Sequence, residues 1–337
     1  MNNSVISIDL AKNVFQVCVL NEHRVAVLNK KVRRQDLLET VTNLEPNRVV
    51  MEACYSSNHW GREFQHLGKD VGLIPAHHVK PFVVGNKNDA NDALAIAEAS
   101  FRPKTVFVAV KSLDQQDLQS LHRIRDRLIK SRTALSNQTR GLLAEYGLVL
   151  PLSISALRKE LPFILEDAEN KLTIVARSFV NDMYEEMLSL EDRIELKTDA
   201  ISSLLKVNDD YQRLKLMPGI GPIVGSALIA AVGNAKQFKS GRQMAAWLGL
   251  TPKLYASGDK MRMGGISKRG NKAMRKLMID GARAVVNWVK DKTDRLSLWI
   301  KNLLTRMHHS KVLIAVANKL TRMAWVILSR NENYVAA

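Results

Sequence analysis

Cysteine is almost absent: two thiols, Cys18 and Cys54, occur in 337 residues. A disulfide framework is thereby excluded, and neither thiol stands at a metal-ligand spacing, so a reduced, cytosolic chain is expected. No basic segment followed by an apolar one opens the sequence, and no secretory signal is expected. Long apolar runs are equally scarce. The one long uncharged stretch, between Lys215 and Lys236, contains Pro218, Pro222 and four glycines, which break a helix and argue against a membrane span. Acid is also in short supply, with 33 Asp and Glu against 50 Lys and Arg, a net charge of +17. Such a surplus favours a polyanionic partner, nucleic acid rather than membrane, because no lipidation motif is evident.

What is present is an ordinary globular composition, 46% hydrophobic and 25% charged, in a chain long enough for two or three domains. The charge is segregated. The N-terminal third is nearly balanced, whereas Lys253 to Arg330 carries 18 Lys and Arg against 4 Asp and Glu. That asymmetry marks the C-terminal part as the nucleic-acid-facing module.

Short apolar, β-branched runs predict three sequential strands, Val5 to Ile8, Val14 to Leu20 and Val25 to Leu28, with a hairpin turn at Asn21-Glu22-His23. A helix from Leu37 to Leu44, a strand from Arg48 to Met51, a helix from Ser57 to Leu67, a strand from Val71 to Ile74 and an Ala-rich helix from Asp89 to Ser100 follow. Three antiparallel strands and then alternating helices and strands is the element order of an RNase H-like α/β fold. In that order Asp9 and Glu52 end strands, and Asp89 and Asp92 share one helix face at i and i+3. Singly these acids are turn or cap residues; together they form a candidate Mg²⁺ cluster, since a hard cation prefers oxygen ligands and two such ions suit phosphodiester chemistry on DNA. Lys80 and Lys87 flank the cluster as candidate phosphate contacts, whereas His59, His77 and His78 lack a second soft ligand and read as surface or packing residues.

Beyond a strand-like Val106 to Val110, Ser112 and Gln115 form a capping box for a long helix to about Leu143, with a stripe of Leu118, Leu121, Leu128, Leu135 and Leu142. Its arginines, Arg123 and Arg127 among them, suit a nucleic-acid backbone or a solvated face. Pro151 and Pro162 mark a break. From about Ala168, Val180, Met183, Met187, Leu190, Ile194, Ile201 and Leu204 follow heptad spacing, predicting a coiled-coil or antiparallel helical arm. The run Pro218-Gly219-Ile220-Gly221 predicts a helix-hairpin-helix in which Gly219 and Gly221 admit a phosphate close to the backbone. A helix from Phe238 to Leu250 leads into a glycine-rich basic loop, Tyr255 to Gly270, with Ser257 and Ser267 as candidate nucleophiles and Lys260, Arg262, Ser267, Lys268 and Arg269 as candidate phosphate contacts. Basic amphipathic helices from Asn271 to Lys290 and Lys311 to Leu328 close the chain. The expected domains are 1–110, 111–207 and 208–330.

Along nearly its whole length the sequence resembles the DEDD insertion-sequence transposases related to the Piv DNA invertases. The likeness rests on Ile8-Asp9-Leu10-Ala11-Lys12, Met51-Glu52-Ala53-Cys54, Val79-Lys80-Pro81-Phe82 and Asn86-Lys87-Asn88-Asp89-Ala90-Asn91-Asp92-Ala93. Towards the C-terminus it rests on Pro218-Gly219-Ile220-Gly221, Trp247-Leu248-Gly249-Leu250-Thr251-Pro252, Ser257-Gly258 and Ile266-Ser267-Lys268-Arg269-Gly270. The resemblance implies a RuvC-like first domain in which Asp9, Glu52, Asp89 and Asp92 hold Mg²⁺ or Mn²⁺. It implies a C-terminal transposase domain whose Ser257, rather than Ser267, joins covalently to cleaved DNA. It further implies a cytoplasmic, nucleoid-associated recombinase acting on the element's ends and a target. An element-encoded bridge RNA would guide it, and it would work as a homo-oligomer, a dimer or tetramer, in which the two domains can meet between subunits. A metal-dependent junction endonuclease using water, and a non-catalytic nucleic-acid-binding regulator, are the competing readings.

Overall fold

A computed structural model describes residues 4–86, 88–258 and 260–335 and divides the chain into two compact units, 1–114 and 115–337.

The N-terminal unit is a five-stranded mixed sheet with helices on both faces. Its strands are β1 (Val5–Asp9), β2 (Val14–Leu20), β3 (Ala26–Arg33), β4 (Arg48–Glu52) and β5 (Asp70–Ile74), in the spatial order β3-β2-β1-β4-β5. The first three pair antiparallel; β1 with β4 and β4 with β5 pair parallel. The helices are α1 (Leu37–Thr42), α2 (Ser57–His66), α3 (Ala76–Val79) and α4 (Asp89–Ser100). Because side chains alternate along a strand, Ile6, Ile8, Val17, Val19 and Met51 pack with Leu37, Val41, Trp60 and Phe64, whereas Val5, Cys18, Leu20 and Val50 pack with α4. The alanines of α4 bring its backbone close to the sheet, and the buried Ser7 hydroxyl donates to the Ala93 carbonyl at 2.7 Å. Asn88 caps α4 by accepting from the Asn91 amide at 2.8 Å. The strand expected at Val106 to Val110 is reduced to a single bridge between Val108 and Leu73, and β3 runs on through Lys30 and Lys31 to Arg33 as a mostly exposed edge strand.

The C-terminal unit is mostly helical. Its first three helices are α5 (Leu113–Ala144), α6 (Ile154–Glu166) and α7 (Ile174–Leu205). α5 and α7 run antiparallel, since their partners fall in number along one helix as they rise along the other. Arg125 Nε donates to Thr198 Oγ1 at 2.8 Å, Arg132 pairs with Glu191 at 3.6 Å, and Thr139 Oγ1 lies 3.6 Å from Met183 Sδ. Leu128, Leu135, Leu157, Leu161, Val180, Met187 and Leu190 form their core. The expected stripes drift at their ends: Leu143 and Leu205 are buried, while Leu142 and Leu204 are exposed. A 3.6-residue helix gains on a seven-residue repeat, so the buried position advances by one residue. Pro162 lies inside α6 instead of ending it, the helix being held by the fully buried Leu157 and Leu161. α7 starts at Ile174, later than expected, with Thr173 accepting from the Ala176 amide at 3.1 Å.

The rest of the unit comprises α8 (Asp209–Leu214), α9 (Pro222–Val232), α10 (Gly241–Trp247), a hairpin of β6 (Pro252–Ser257) and β7 (Lys260–Ile266), α11 (Lys272–Asn287), α12 (Arg295–Arg306) and α13 (His309–Arg330). The helices share one apolar core, with Leu228, Met244, Met278, Ile300, Val316 and Leu320 at its centre. Among the described residues α13 is the one helix long and apolar enough to cross a membrane, yet half of that stretch is buried in this core.

Candidate functional site

The sheet register places two carboxylates side by side. Ile8 pairs with Met51 across the parallel β1 and β4 strands, so Asp9 and Glu52, the next residue on each, end adjacent strands roughly 4.8 Å apart on one face. Ser7 lies on that face two residues before Asp9. Its hydroxyl grips Ala93 O, which brings the preceding residue, Asp92 in the first turn of α4, to the same end of the sheet. The electrostatics agree with this placement. Burial raises the Glu52 carboxyl above its ordinary range, and the charge of Asp92 raises it further. The Cys54 thiol is pushed up to about 11 by burial and then by Glu52 and Asp9. Glu52 thus feels the charge of Asp92, and Cys54 feels those of Glu52 and Asp9.

Asp89 is set differently. It is exposed and turned towards β3, with its carboxylate 3.7 Å from Lys31 Nζ. The acids form an open constellation: among the described residues no three or more His, Cys, Asp or Glu side chains stand close enough to hold one metal ion. The donor chemistry nevertheless suits a hard cation, because the cluster offers oxygens alone. An oxygen that sequence reasoning missed adds to it. Gln16 lies opposite Asp9 in the β1–β2 register, is 5% exposed, and has a buried Oε1 with no hydrogen-bond partner. The signal was a polar residue inside the otherwise apolar run Val14 to Leu20. Lys80 is exposed, and Lys87 lies outside the described residues. His59 lies 3.9 Å from Glu63, and His77 and His78 face each other at 4.4 Å between ring centroids, so these contacts are local packing.

The second candidate, Ser257, stands at the tip of a ribbon where a loop was expected. Cross-strand pairing sets Tyr255 against Arg262 and Ser257 against Lys260, which puts Ser257 on a cationic face; Leu254, Ala256, Met261 and Met263 form the other. Ser257 is exposed. Ser267 is half-buried at the foot of the ribbon, where its amide donates to Thr251 O at 2.8 Å and its hydroxyl accepts from the Arg269 amide at 3.5 Å.

Two motifs lock that foot. The Lys268 amide donates to Gly249 O at 3.2 Å, and the buried Arg275 guanidinium donates to Leu248 O and Arg269 O, each at 2.9 Å. Gly270, at φ +72°, lies so close to the Trp247 carbonyl that a side chain there has no room. The Trp247-to-Pro252 and Ile266-to-Gly270 runs thus clasp each other. Lys260, Arg262, Lys268 and Arg269 remain exposed around them.

Elsewhere, Arg123 and Arg127 are exposed on α5, whereas Arg125, Arg132 and Arg140 are engaged with Thr198, with Glu191 and with the carbonyls of Pro151 and Leu152. At the Pro218-to-Gly221 turn, between α8 and α9, a Cβ on Gly219 (φ +78°) would stand 2.6 Å from Gly281 O, so α11 fills the space at that glycine. Gly221, which precedes α9, faces open space.

Residues 6–148 match the DEDD transposases of the IS110 type, and residues 211–296 match the family described as Transposase IS116/IS110/IS902. The chain is 43% identical over 98% of its length, and 91% of the relative's, to the transposase for insertion sequence element IS1111A of Coxiella burnetii. It is 36% identical over 98% of both chains to the transposase for IS1328 of Yersinia enterocolitica. A more distant likeness, 20% identity over 99% of this chain and 98% of the other, is to the pilin gene-inverting protein of Moraxella bovis. Family matches to both units and full-length relatives lead to one conclusion: the chain belongs to the IS110-type family of insertion-sequence transposases.

Proposed function

We propose that this transposase cuts and rejoins DNA through a covalent serine intermediate at Ser257, assisted by Mg²⁺ or Mn²⁺ at Asp9, Glu52, Asp89 and Asp92. The observation that carries the reading is the β1–β4 register, which sets Asp9 beside Glu52 with the charge of Asp92 felt by Glu52. Like charges held together in a half-buried setting are costly without a cation. When bound, the metal supplies Lewis-acid stabilisation of charge on phosphate oxygens. Asp9, Glu52 and Asp92 would hold it, and Asp89 would join by exchanging Lys31 for the ion. The N-terminal unit is read as RuvC-like, the α5–α7 pair as a coiled-coil arm, and the Pro218-to-Gly221 turn as a helix-hairpin-helix contacting phosphate chiefly through Gly221.

Ser257 Oγ forms a bond to phosphorus as one P–O bond of the DNA backbone breaks. The serine proton passes through solvent to the departing sugar oxygen, and the number of phosphoester bonds is unchanged. Rejoining reverses the step with a new hydroxyl, so no ATP is consumed. Lys260 and Arg262, on the same ribbon face as Ser257, neutralise the phosphate, and Lys80, Lys87, Arg123, Arg127, Ser267, Lys268 and Arg269 are assigned to backbone contacts. With contacts of this kind, choice of sequence falls to pairing with an element-encoded RNA. The working particle is read as a dimer or tetramer in which the acids and Ser257 meet between copies, acting in the cytoplasm on the nucleoid.

The test is denaturing-gel trapping of a labelled element end. The wild-type chain should carry DNA covalently, Ser257→Ala should carry none, and Ser267→Ala should still carry it. Full cleavage by Ser257→Ala would transfer the reading to a water-using junction endonuclease. Undiminished joining by Asp9→Asn and Glu52→Gln would remove the metal site. Sequencing copurified RNA tests the guide, and absence of an enriched element-encoded RNA would refute it.

A further inference from the structure

The foot of the Ser257 ribbon opens onto a groove of about 1010 Å³ that neither the acid cluster nor the ribbon uses. Pro252 and Ile266, the outer ends of β6 and β7, form part of its wall. α13 forms another part, with Lys311, Asn318 and Arg322 spaced to fall along one helix face. Lys319 and Arg242 bring the cations in the lining to four, and no acidic side chain is among the described residues there. Two tryptophans also line it. Trp299 has Lys319 Nζ 4.4 Å from its ring centre, and Trp325 is fixed by its indole N–H donating to Phe238 O at 3.0 Å.

We propose that this groove binds single-stranded DNA. A cationic trough interleaved with anchored aromatic rings suits a strand whose bases are free to stack, since duplex bases are already stacked. DNA rather than RNA follows from continuity with the ribbon, a step that rests on the serine reading above. Pro252 and Ser257 are five residues apart on one strand, roughly 17 Å at about 3.4 Å per residue, which a DNA strand spans in about five nucleotides at duplex rise and in fewer when extended. A strand joined to Ser257 therefore reaches the groove a few nucleotides from the junction.

The experiment is fluorescence anisotropy of the full chain with labelled dT20, rU20 and a duplex, across a salt series. Lys311→Ala combined with Arg322→Ala removes two exposed charges without touching the core. It should weaken dT20 binding at least about tenfold and lower the salt slope by about 1.4, the value for two single-strand phosphate contacts. Trp299→Ala should weaken dT20 about five- to hundredfold, and Trp299→Phe should recover most of that. An unchanged dT20 affinity and slope in the charge variant would overturn the proposal, as would a loss confined to rU20 or to the duplex. Ser257→Ala should bind dT20 like the wild-type chain, so failure of the covalent-adduct test and failure of the groove are read separately.

A different observation carries a second inference, resting on the metal reading. The unpartnered Gln16 Oε1 is fixed in orientation, because Gln16 Nε2 donates to Asn29 Oδ1 at 2.6 Å and Asn29 Nδ2 donates to Ala90 O at 3.2 Å, between Asp89 and Asp92. This chain of bonds settles which end of each amide is oxygen. The geometry points to Gln16 Oε1 as a further oxygen for the cation, direct or through a water it holds. Calorimetric titration of Mn²⁺ into the DNA-free chain tests it. Gln16→Leu should weaken binding about tenfold, in the range typical of lost outer-sphere support, and Gln16→Glu should restore or tighten it. Unaltered Mn²⁺ affinity in Gln16→Leu would refute this role while leaving the acids in place. Unaltered affinity in Asp9→Asn and Glu52→Gln would refute the metal reading itself.

Discussion

Lowering the pH from 7 to 5 should loosen the helical unit through one side chain, His122. Its Nε2 lies 2.8 Å from the hydroxyl of the buried Ser226, which itself donates to Pro222 O at 2.6 Å. The serine proton is thereby committed, and His122 Nε2 is the donor of a neutral ring. Burial, and then the cation of Arg125, lower its pKa from 6.5 to about 4. Arg123, Asp126 and, from α11, Lys276 line the same cavity, so the charge balance around the ring is positive. A folded-state pKa below the unfolded one means that the unfolded chain takes up the proton first. The contribution is therefore complete above about pH 6.5 and is lost as pH falls towards 4. Linkage for this one group gives a loss of about 2 kcal/mol between pH 7 and pH 5, and partial exposure of the ring reduces that to about 1 kcal/mol. For a unit of this size the midpoint should fall about 2–4 °C. Carboxylates titrate nearby, so the quantity to measure is the difference between wild type and His122→Gln, whose amide keeps the bond to Ser226. Thermal unfolding followed at pH 7 and pH 5 should show a smaller fall in the variant. Equal falls in the two proteins would refute the burial argument.

Other outcomes follow from the geometry. Gly219→Ala, which forces a Cβ to 2.6 Å from Gly281 O at a positive φ, should cost at least about 2 kcal/mol in urea unfolding. A loss under about 0.5 kcal/mol would show that α11 gives way easily. Arg275→Met strands the carbonyls of Leu248 and Arg269 and should cost about 2–4 kcal/mol, with Arg275→Lys intermediate by the same measurement. Ser7→Ala should cost about 1 kcal/mol and weaken Mn²⁺ binding, because α4 and its Asp92 lose their tether to β1. Equal Mn²⁺ affinity would mean that packing alone seats the helix.

Much of the N-terminal unit was legible because buried strands and an Ala-rich helix announce themselves by hydrophobic pattern. Asp89 to Ser100 has the expected bounds, and β2 likewise. The strand at Val106 was not, since a run of apolar residues does not reveal whether a sheet has an open edge to receive it. The ribbon at Pro252–Ile266 looked like a loop because both strands are exposed and Gly258, Gly264 and Gly265 dilute the alternation. α12 was missed between two better-marked helices, although Asp294 caps it by accepting from the Ser297 amide at 3.0 Å. Pro162 misled for a plain reason: propensity penalises proline, and burial of Leu157 and Leu161 outweighs the penalty. At the site, Asp9 and Glu52 were readable as strand ends. The outward turn of Asp89 was not, because it depends on Lys31 across an edge strand. Nor could sequence separate Ser257 from Ser267; exposure at a tip against burial at a foot is a three-dimensional distinction.

The ribbon bearing Ser257 is fastened at one end only. Two strands without a third are marginal by themselves, so the ribbon depends on the Arg275 clasp for its footing. If Ser257 is the nucleophile proposed above, a ribbon held at one end would leave its hydroxyl short of the alignment that phosphorus demands, and misalignment of about 1 Å costs about a hundredfold in rate. Under the proposed chemistry, alignment would come from the strand that lies along the ribbon, so that the substrate would complete the tool that cuts it.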